Sequence, residues 1–290
     1  MRGKMKQEIS RLTKRIAILI ILILVCMPLL YLITGAIKST DELVYSLKPI
    51  IFEDNELDQM VRWSMFPNYP TLRHFIRLLL YTPQFFVVFW NSIKLVFLIL
   101  GGQFVIAIPA AWFFARSDSK CSRILFGMYI ILMLMPFQVT MLSSYLVLNM
   151  MHILNTHLAI ILPAIFSTFP VFIIYRAFSG IPKEVIEAAR IDGAGEYTIF
   201  FYIGIRLGHD GIASAFVLGF LEYWNLMEQP LAFLKNKSLW PLSLYIPEIG
   251  FENIGLAFAV SVVTLIPAIF IFSMGKDYLE NGIVAAAIKE

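Results

Sequence analysis

From Ile124 to Tyr175 the chain runs for 52 residues without one Asp, Glu, Lys or Arg. No water-exposed surface can be built from such a stretch. It is more than twice the ~20 residues that carry a helix across the hydrocarbon core of a bilayer, so it predicts a hairpin of two membrane helices. The polar cluster Asn149-Met150-Met151-His152-Ile153-Leu154-Asn155-Thr156-His157 marks the turn. Composition agrees: of 290 residues, 59% are hydrophobic and 15% charged, too apolar for an ordinary soluble domain of this size.

Four further spans follow from the same reading. The first, Ile16 to Ile37, is 22 uncharged residues behind six basic ones: Arg2, Lys4, Lys6, Arg11, Lys14 and Arg15. It is longer than a signal-peptide core and has no small-x-small cleavage site after it, so it is expected to be retained. The second, Phe86 to Ala115, is broken only by Lys94. The fifth, Asp210 to Leu234, is weakened by Glu222 and Glu228, and the sixth, Asn253 to Met274, is clear. Pro28, Pro109, Pro136, Pro163 and Pro267 read as kinks that let neighbouring helices pack. The expected fold class is all-α, a polytopic membrane protein with six transmembrane helices.

Basic residues orient it. With the N-terminus inside, the inner segments hold fifteen: the six named above, Arg116, Lys120, Arg123, Arg176, Lys183, Arg190, Arg206, Lys276 and Lys289. The outer segments hold seven: Lys38, Lys48, Arg62, Arg73, Arg77, Lys235 and Lys237. The excess in short loops places both termini in the cytoplasm. The expected organisation is a cytoplasmic N-terminus at 1–15, a first transmembrane helix at 16–37 and an extracytoplasmic segment at 38–85. A five-helix membrane domain at 86–275 follows, with a cytoplasmic loop at 180–208, then a cytoplasmic tail at 276–290. Within 38–85, the stretch Leu72 to Leu80 reads as a short amphipathic helix near the membrane surface.

That loop carries the most specific signal. In Ile181-Pro182-Lys183-Glu184-Val185-Ile186-Glu187-Ala188-Ala189-Arg190-Ile191-Asp192-Gly193-Ala194-Gly195, proline suits a first helical turn and the glutamates suit a helix N-terminus. Ala188 and Ala189 offer a small surface that a partner can approach, and Gly193 a helix stop. The order Glu-Ala-Ala-x-x-Asp-Gly-Ala resembles the EAA loop of the membrane subunits of bacterial ATP-binding-cassette (ABC) importers. Asn91-Ser92-Ile93, Ala110 to Arg116, Asn155-Thr156, Trp224-Asn225 and the tail Gly282 to Lys289 resemble the carbohydrate branch of that family, the second permease of the maltose-transporter type.

The resemblance implies a type I ABC importer transmembrane-domain fold in a bacterial inner membrane. Its implied partners are a second permease subunit, two cytoplasmic ATPase subunits and an extracytoplasmic solute-binding protein, besides the lipid bilayer. Glu187, Ala188, Ala189, Asp192 and Gly193 would then dock the ATPase. ATP and Mg²⁺ would be held by that partner, because no Walker motif is present in this chain, which is read as a transport subunit rather than an enzyme. No cofactor, metal site or nucleic-acid partner is expected. Cys26 and Cys121 read as free thiols. One departure stands out: Ile205-Arg206-Leu207-Gly208-His209-Asp210-Gly211-Ile212 has none of the prolines that family members carry there.

The solute is expected to be a carbohydrate, with a non-sugar solute as the alternative within the class and an ion-coupled secondary transporter outside it. Glu222, about 15 Å into the fifth span, should face protein or water rather than lipid. Lys94 lies roughly 12 Å down the second span, at similar depth. Either the two form a pair lining the pathway, or Lys94 snorkels outward and Glu222 is protonated or meets another subunit. Trp224 and Asn225 either contact solute or serve as a packing tryptophan with an interhelical asparagine.

Overall fold

The computed structural model describes residues 2–51, 64–246, 249 and 253–287. Among them every regular element is helical. The chain divides into two compact units, one of residues 1–83 with 246–265 and one of residues 84–245 with 266–290.

The first unit begins with α1 (Arg2–Ala36). Its segment Thr13–Ala36, 24 residues with a mean hydropathy of 3.2, buries none of its most apolar window against protein. Its solvent is therefore lipid. Beyond it come α2 (Thr40–Ile51) and the amphipathic α3 (Arg73–Tyr81), which buries His74 and Leu78 and leaves Ile76, Leu79 and Leu80 exposed. Lys38 is the anchor between them. It is fully buried, its ammonium donates to the Ser64 carbonyl, and it lies 5.2 Å over the Tyr31 ring. The Lys38 carbonyl in turn meets the His74 ring at 3.0 Å. Arg62 and the rest of 52–63, part of the expected outer segment, lie outside the described residues.

The second unit is built on α4 (Pro83–Arg116). After it come α5 (Lys120–Met133), capped by Ser119 accepting from the Ser122 N–H at 3.1 Å, and α6 (Phe137–Met150). The pair is bent by 103° at Leu134–Pro136. The expected polar turn follows, with His152 and Asn155 at φ of 56° and 58°. Next come α7 (Leu158–Ile165), α8 (Thr168–Ser179) and the loop helix α9 (Lys183–Ile191). Then α10 (Glu196–Thr198), a π-helical stretch Ile199–Gly204 and α11 (Ile205–Leu207) lead into α12 (His209–Trp224). Two shorter helices, α13 (Glu228–Phe233) and α14 (Leu242–Tyr245), precede the long α15 (Ile254–Ala287), which passes through both units.

Among the described residues, length and composition alone single out four or five of the six expected spans. Four helices are long and apolar enough to cross a membrane: Thr13–Ala36, Pro83–Arg116, Leu158–Ser179 and Ile254–Glu280. The bent pair α5 and α6 makes a fifth if it is one broken span. The expected span Asp210–Leu234 is the 16-residue α12 followed by a break and the separate α13. Asn225 ends α12 there, and its side chain bonds back to the Leu221 carbonyl at 2.9 Å. Pro28, Pro109, Pro163 and Pro267 lie inside helices, whereas Pro136 stands at the bend.

Each break frees backbone groups that must be answered inside the protein. At the α7–α8 break the Ala164 carbonyl accepts from the Ser167 N–H at 3.1 Å and from Gln103 Nε2 at 2.7 Å. The same Nε2 donates to the Tyr223 hydroxyl at 2.8 Å, so one buried amide ties α4 to α7 and α12. At the α12–α13 break, Ser243 Oγ donates to the Leu226 carbonyl at 2.5 Å. Replacing Gln103 by Leu should cost about 1–3 kcal/mol by removing one buried donor from both the Ala164 carbonyl and the Tyr223 hydroxyl. A lowered melting temperature of the purified protein would register it; an unchanged one would show that the amide is dispensable.

Candidate functional site

The loop segment 180–208 is held at its base by a packed knot. Phe178, Ile181, Ile186 and Ile199 are buried together with Ala107 and Ala111 of α4. Arg116, the last residue of α4, donates to the Phe178 carbonyl at 2.9 Å and to the Ile181 carbonyl at 3.4 Å. The Phe178 carbonyl lies in the last turn of α8, where the helix dipole favours a cation, and Ile181 lies in the linker just beyond. The guanidinium stacks 4.9 Å over Trp112, whose ring meets Phe178 edge-on at 5.2 Å. A planar fork that both bonds and stacks is a role lysine cannot take.

From this base α9 projects. Pro182 is its N-cap, one position before the first helical residue. Its end is a full Schellman motif: Ala194 N–H donates to the Ala189 carbonyl and Gly193 N–H to the Arg190 carbonyl, both at 3.0 Å, with Gly193 at φ +84°. Ala189 packs against the knot while Glu187, Ala188, Asp192 and Gly193 face outward. Of the five sequence-predicted docking residues, four thus share the exposed side, and Ala189 supports them from beneath. Two apolar side chains that the motif does not include, Ile191 and Tyr197, are 85% and 84% exposed beside them. The exposed Arg190–Glu196 pair at 2.8 Å raises the Arg190 guanidinium above its usual range through that hydrogen bond.

The missing prolines have a structural counterpart. Gly208 N–H donates to the Gly204 carbonyl at 2.8 Å, and Ile212 N–H to the Gly208 carbonyl at 3.1 Å. A proline at 208 would lose the first bond. Any side chain there would meet Phe178, which lies 2.3 Å from an ideal Cβ. The glycine therefore lets the chain pass over the knot without a gap.

At the opposite end of the unit, three side chains clamp the segment 234–242. Asn155 Oδ1 accepts from the Lys235 and Asn236 N–H groups at 2.9 and 2.8 Å. Asn91 Nδ2 donates to the carbonyls of Ser238 and Trp240 at 2.7 and 3.1 Å, and Ser92 Oγ accepts from the Leu242 N–H at 2.7 Å. Burial pushes the His157 imidazole below its usual range, and its Nε2 contacts the Leu239 carbonyl at 3.1 Å. The Asn-Ser and Asn-Thr dipeptides singled out in the sequence are these clamps.

The expected pathway residues separate. Trp224 is 2% exposed, stacked on Phe220 at 5.5 Å and edge-on to Phe89 at 6.0 Å, so it is a packing residue. Asn225 bonds within its own helix rather than across to a neighbour. Glu222 and Lys94 form no ion pair: the pairs within 4 Å among the described residues are Lys183–Asp118, Arg190–Glu196 and His209–Asp210. Glu222 instead borders a cavity of about 490 Å³, whose lining does not include Lys94. Gln103 and Gln229 were not singled out in the sequence, and Arg116 entered it only as an inner basic residue and the end of the segment Ala110 to Arg116. Single polar residues in apolar runs carry no spacing signal.

The family model for the binding-protein-dependent transport system inner membrane component matches residues 103–285, and the chain belongs to that family. It is a transport permease subunit, not an enzyme. It is 28% identical over 266 residues to the arabinooligosaccharides transport system permease protein AraQ of Halalkalibacterium halodurans, covering 90% of both chains. It is 30% identical over 203 residues to the lactose transport system permease protein LacG of Rhizobium radiobacter, covering 67% of this chain and 73% of that one. The fold is similar to a chain in the crystal structure of a bacterial ABC transporter involved in the import of the acidic polysaccharide alginate. The TM-score there is 0.80 at 17% identity, over 94% of this chain and 97% of that one.

Replacing Gly193 by Ala forces an L-residue to φ +84° at about 1–2 kcal/mol. Tryptic cleavage at Lys183 and Arg190 in membrane vesicles should then speed up roughly tenfold, because cleavage follows the opened population. Gly193→Asn should recover part of the protection. Equal cleavage of all three proteins would refute the cap.

Proposed function

We propose that this chain is one of two membrane subunits of an ATP-driven importer for an oligosaccharide delivered by an extracytoplasmic solute-binding protein. Family membership supports the importer class, and the relatives named for arabinooligosaccharides and lactose support a saccharide cargo. The single observation carrying the coupling role is the loop helix: a rigidly capped α9 presenting Glu187, Ala188, Asp192, Gly193, Ile191 and Tyr197 from a buried base. Its orientation follows from the excess of basic residues in short inner loops, which puts the loop and both termini in the cytoplasm.

In this reading two ATPase subunits bind and hydrolyse ATP, and each receives a loop from one membrane subunit. ATP binding draws the ATPases together and moves α9. Because Arg116 fastens the base of α9 to α4, that movement is passed to a membrane helix rather than lost in a hinge. An effector can shift the equilibrium between inward-open and outward-open states only by the difference in its contact energy with each. The exposed side of α9 is where that difference would arise.

Expression of this chain with the second permease, the ATPase and the binding protein of its own bacterium supplies the test. The four should purify as one complex whose ATP hydrolysis is stimulated by saccharide-loaded binding protein. Glu187→Arg should abolish stimulation while leaving the chain in the membrane. Recovery of this chain alone, or full stimulation in the variant, would defeat the assignment.

A further inference from the structure

Three helix breaks of the second unit meet at one place. The bend between α5 and α6, the break between α7 and α8 at Phe166–Ser167 and the end of α12 all contribute to the wall of the 490 Å³ cavity. The α7–α8 break leaves eight helical residues on one side and twelve on the other. That is roughly 12 and 18 Å of helix, so the break lies in the middle third of a ~30 Å hydrocarbon core. Non-helical backbone at that depth is stable where it lines a polar cavity, and interrupted helices at mid-membrane are where transported solutes bind.

The lining has the chemistry of a sugar site. Thr140, Ser144, Ser167, Thr168, Gln229 and Glu222 supply hydroxyl, amide and carboxylate groups. Phe137, Phe166 and Phe169 supply flat apolar faces on which the C–H side of a pyranose or furanose ring can rest. Gln229 is among the lining residues, and its Oε1 is buried with no hydrogen-bond partner among the described residues. The volume falls within the range of small-ligand sites. No Lys or Arg borders the cavity, so its fixed charge is the Glu222 carboxylate alone.

We propose that this cavity is a saccharide subsite within this subunit, and that Glu222 makes it selective for uncharged sugars over uronates. The proposal rests on the reading of the chain as a saccharide permease subunit. Glu222 accepts sugar O–H donors at both oxygens, and across a few ångströms of low-dielectric space it repels a uronate carboxylate. The wall thus fits a neutral oligosaccharide and opposes an acidic one.

The test uses the assembled importer in nanodiscs, with Cys26 and Cys121 changed to Ser. Thr140→Cys, and separately Ser144→Cys, is labelled with a cationic methanethiosulfonate in the presence of arabinotriose, maltotriose, raffinose or trigalacturonate. At least one neutral trisaccharide should slow labelling about threefold or more at concentrations above its dissociation constant, and trigalacturonate should not. Adding Glu222→Gln should let trigalacturonate protect as well. Thiols that do not react, because the second permease covers the wall, would overturn the proposal. So would thiols that no saccharide protects, or protection by trigalacturonate with Glu222 intact. Stimulated ATPase activity in the same nanodiscs separates the two readings. Stimulation by saccharide-loaded binding protein without protection sinks the subsite alone, whereas no stimulation by any saccharide sinks the permease assignment beneath it.

Discussion

A helix interrupted inside a bilayer frees N–H and C=O groups that lipid cannot answer, and this constraint organises the second unit. Two of its interruptions, α7–α8 and α12–α13, are matched by polar side chains. Gln103 and the Ser167 N–H meet Ala164, Ser243 meets Leu226, and Asn225 turns back on Leu221. With those carbonyls answered, the helices can stop at mid-membrane and leave a polar space between them. Without the answers the lowest-energy course would be unbroken helices and a closed, apolar interior.

The same economy of polar groups appears at the loop. The guanidinium of Arg116 joins the carbonyls of Phe178 and Ile181 to the end of α4 and lies flat on Trp112. Gly208 lets the following helix cross Phe178 closely enough to seal the knot. The result is a short helix with an exposed outer side and a root bonded to the end of α4.

Much of this was legible in the residues. Apolar runs and charge placement located the first, second and last long helices, although α1 begins at Arg2 and α15 runs on to Ala287, well past the expected ends. Pro182 and Gly193 bracketed α9, and Gly193 has the positive φ that its place after Asp192 implied. The dipeptides at Asn91 and Asn155 turned out to grip backbone groups of one distant segment. Less legible was the interruption of helices. Pro136 looked like the other four prolines, yet it alone marks a sharp bend, because the others lie in helices that continue past them. Glu222 and Lys94 stood at similar depth by count, but depth along two helices does not say which way each side chain points.

By itself the sequence determined that this protein lives in a membrane as helices, and where its loop helix starts and stops. These are local matters: hydrophobicity summed over a span, and the φ that a glycine alone adopts at no cost. Only the tertiary structure decided which spans are broken, which amide answers which carbonyl, and that Glu222 borders a cavity while Trp224 is buried. Those outcomes depend on residues 60 to 150 positions apart coming within hydrogen-bonding distance, as Gln103 does with Ala164 and Ser92 with Leu242. No local pattern encodes such a meeting, because it is the packing of whole helices that brings it about.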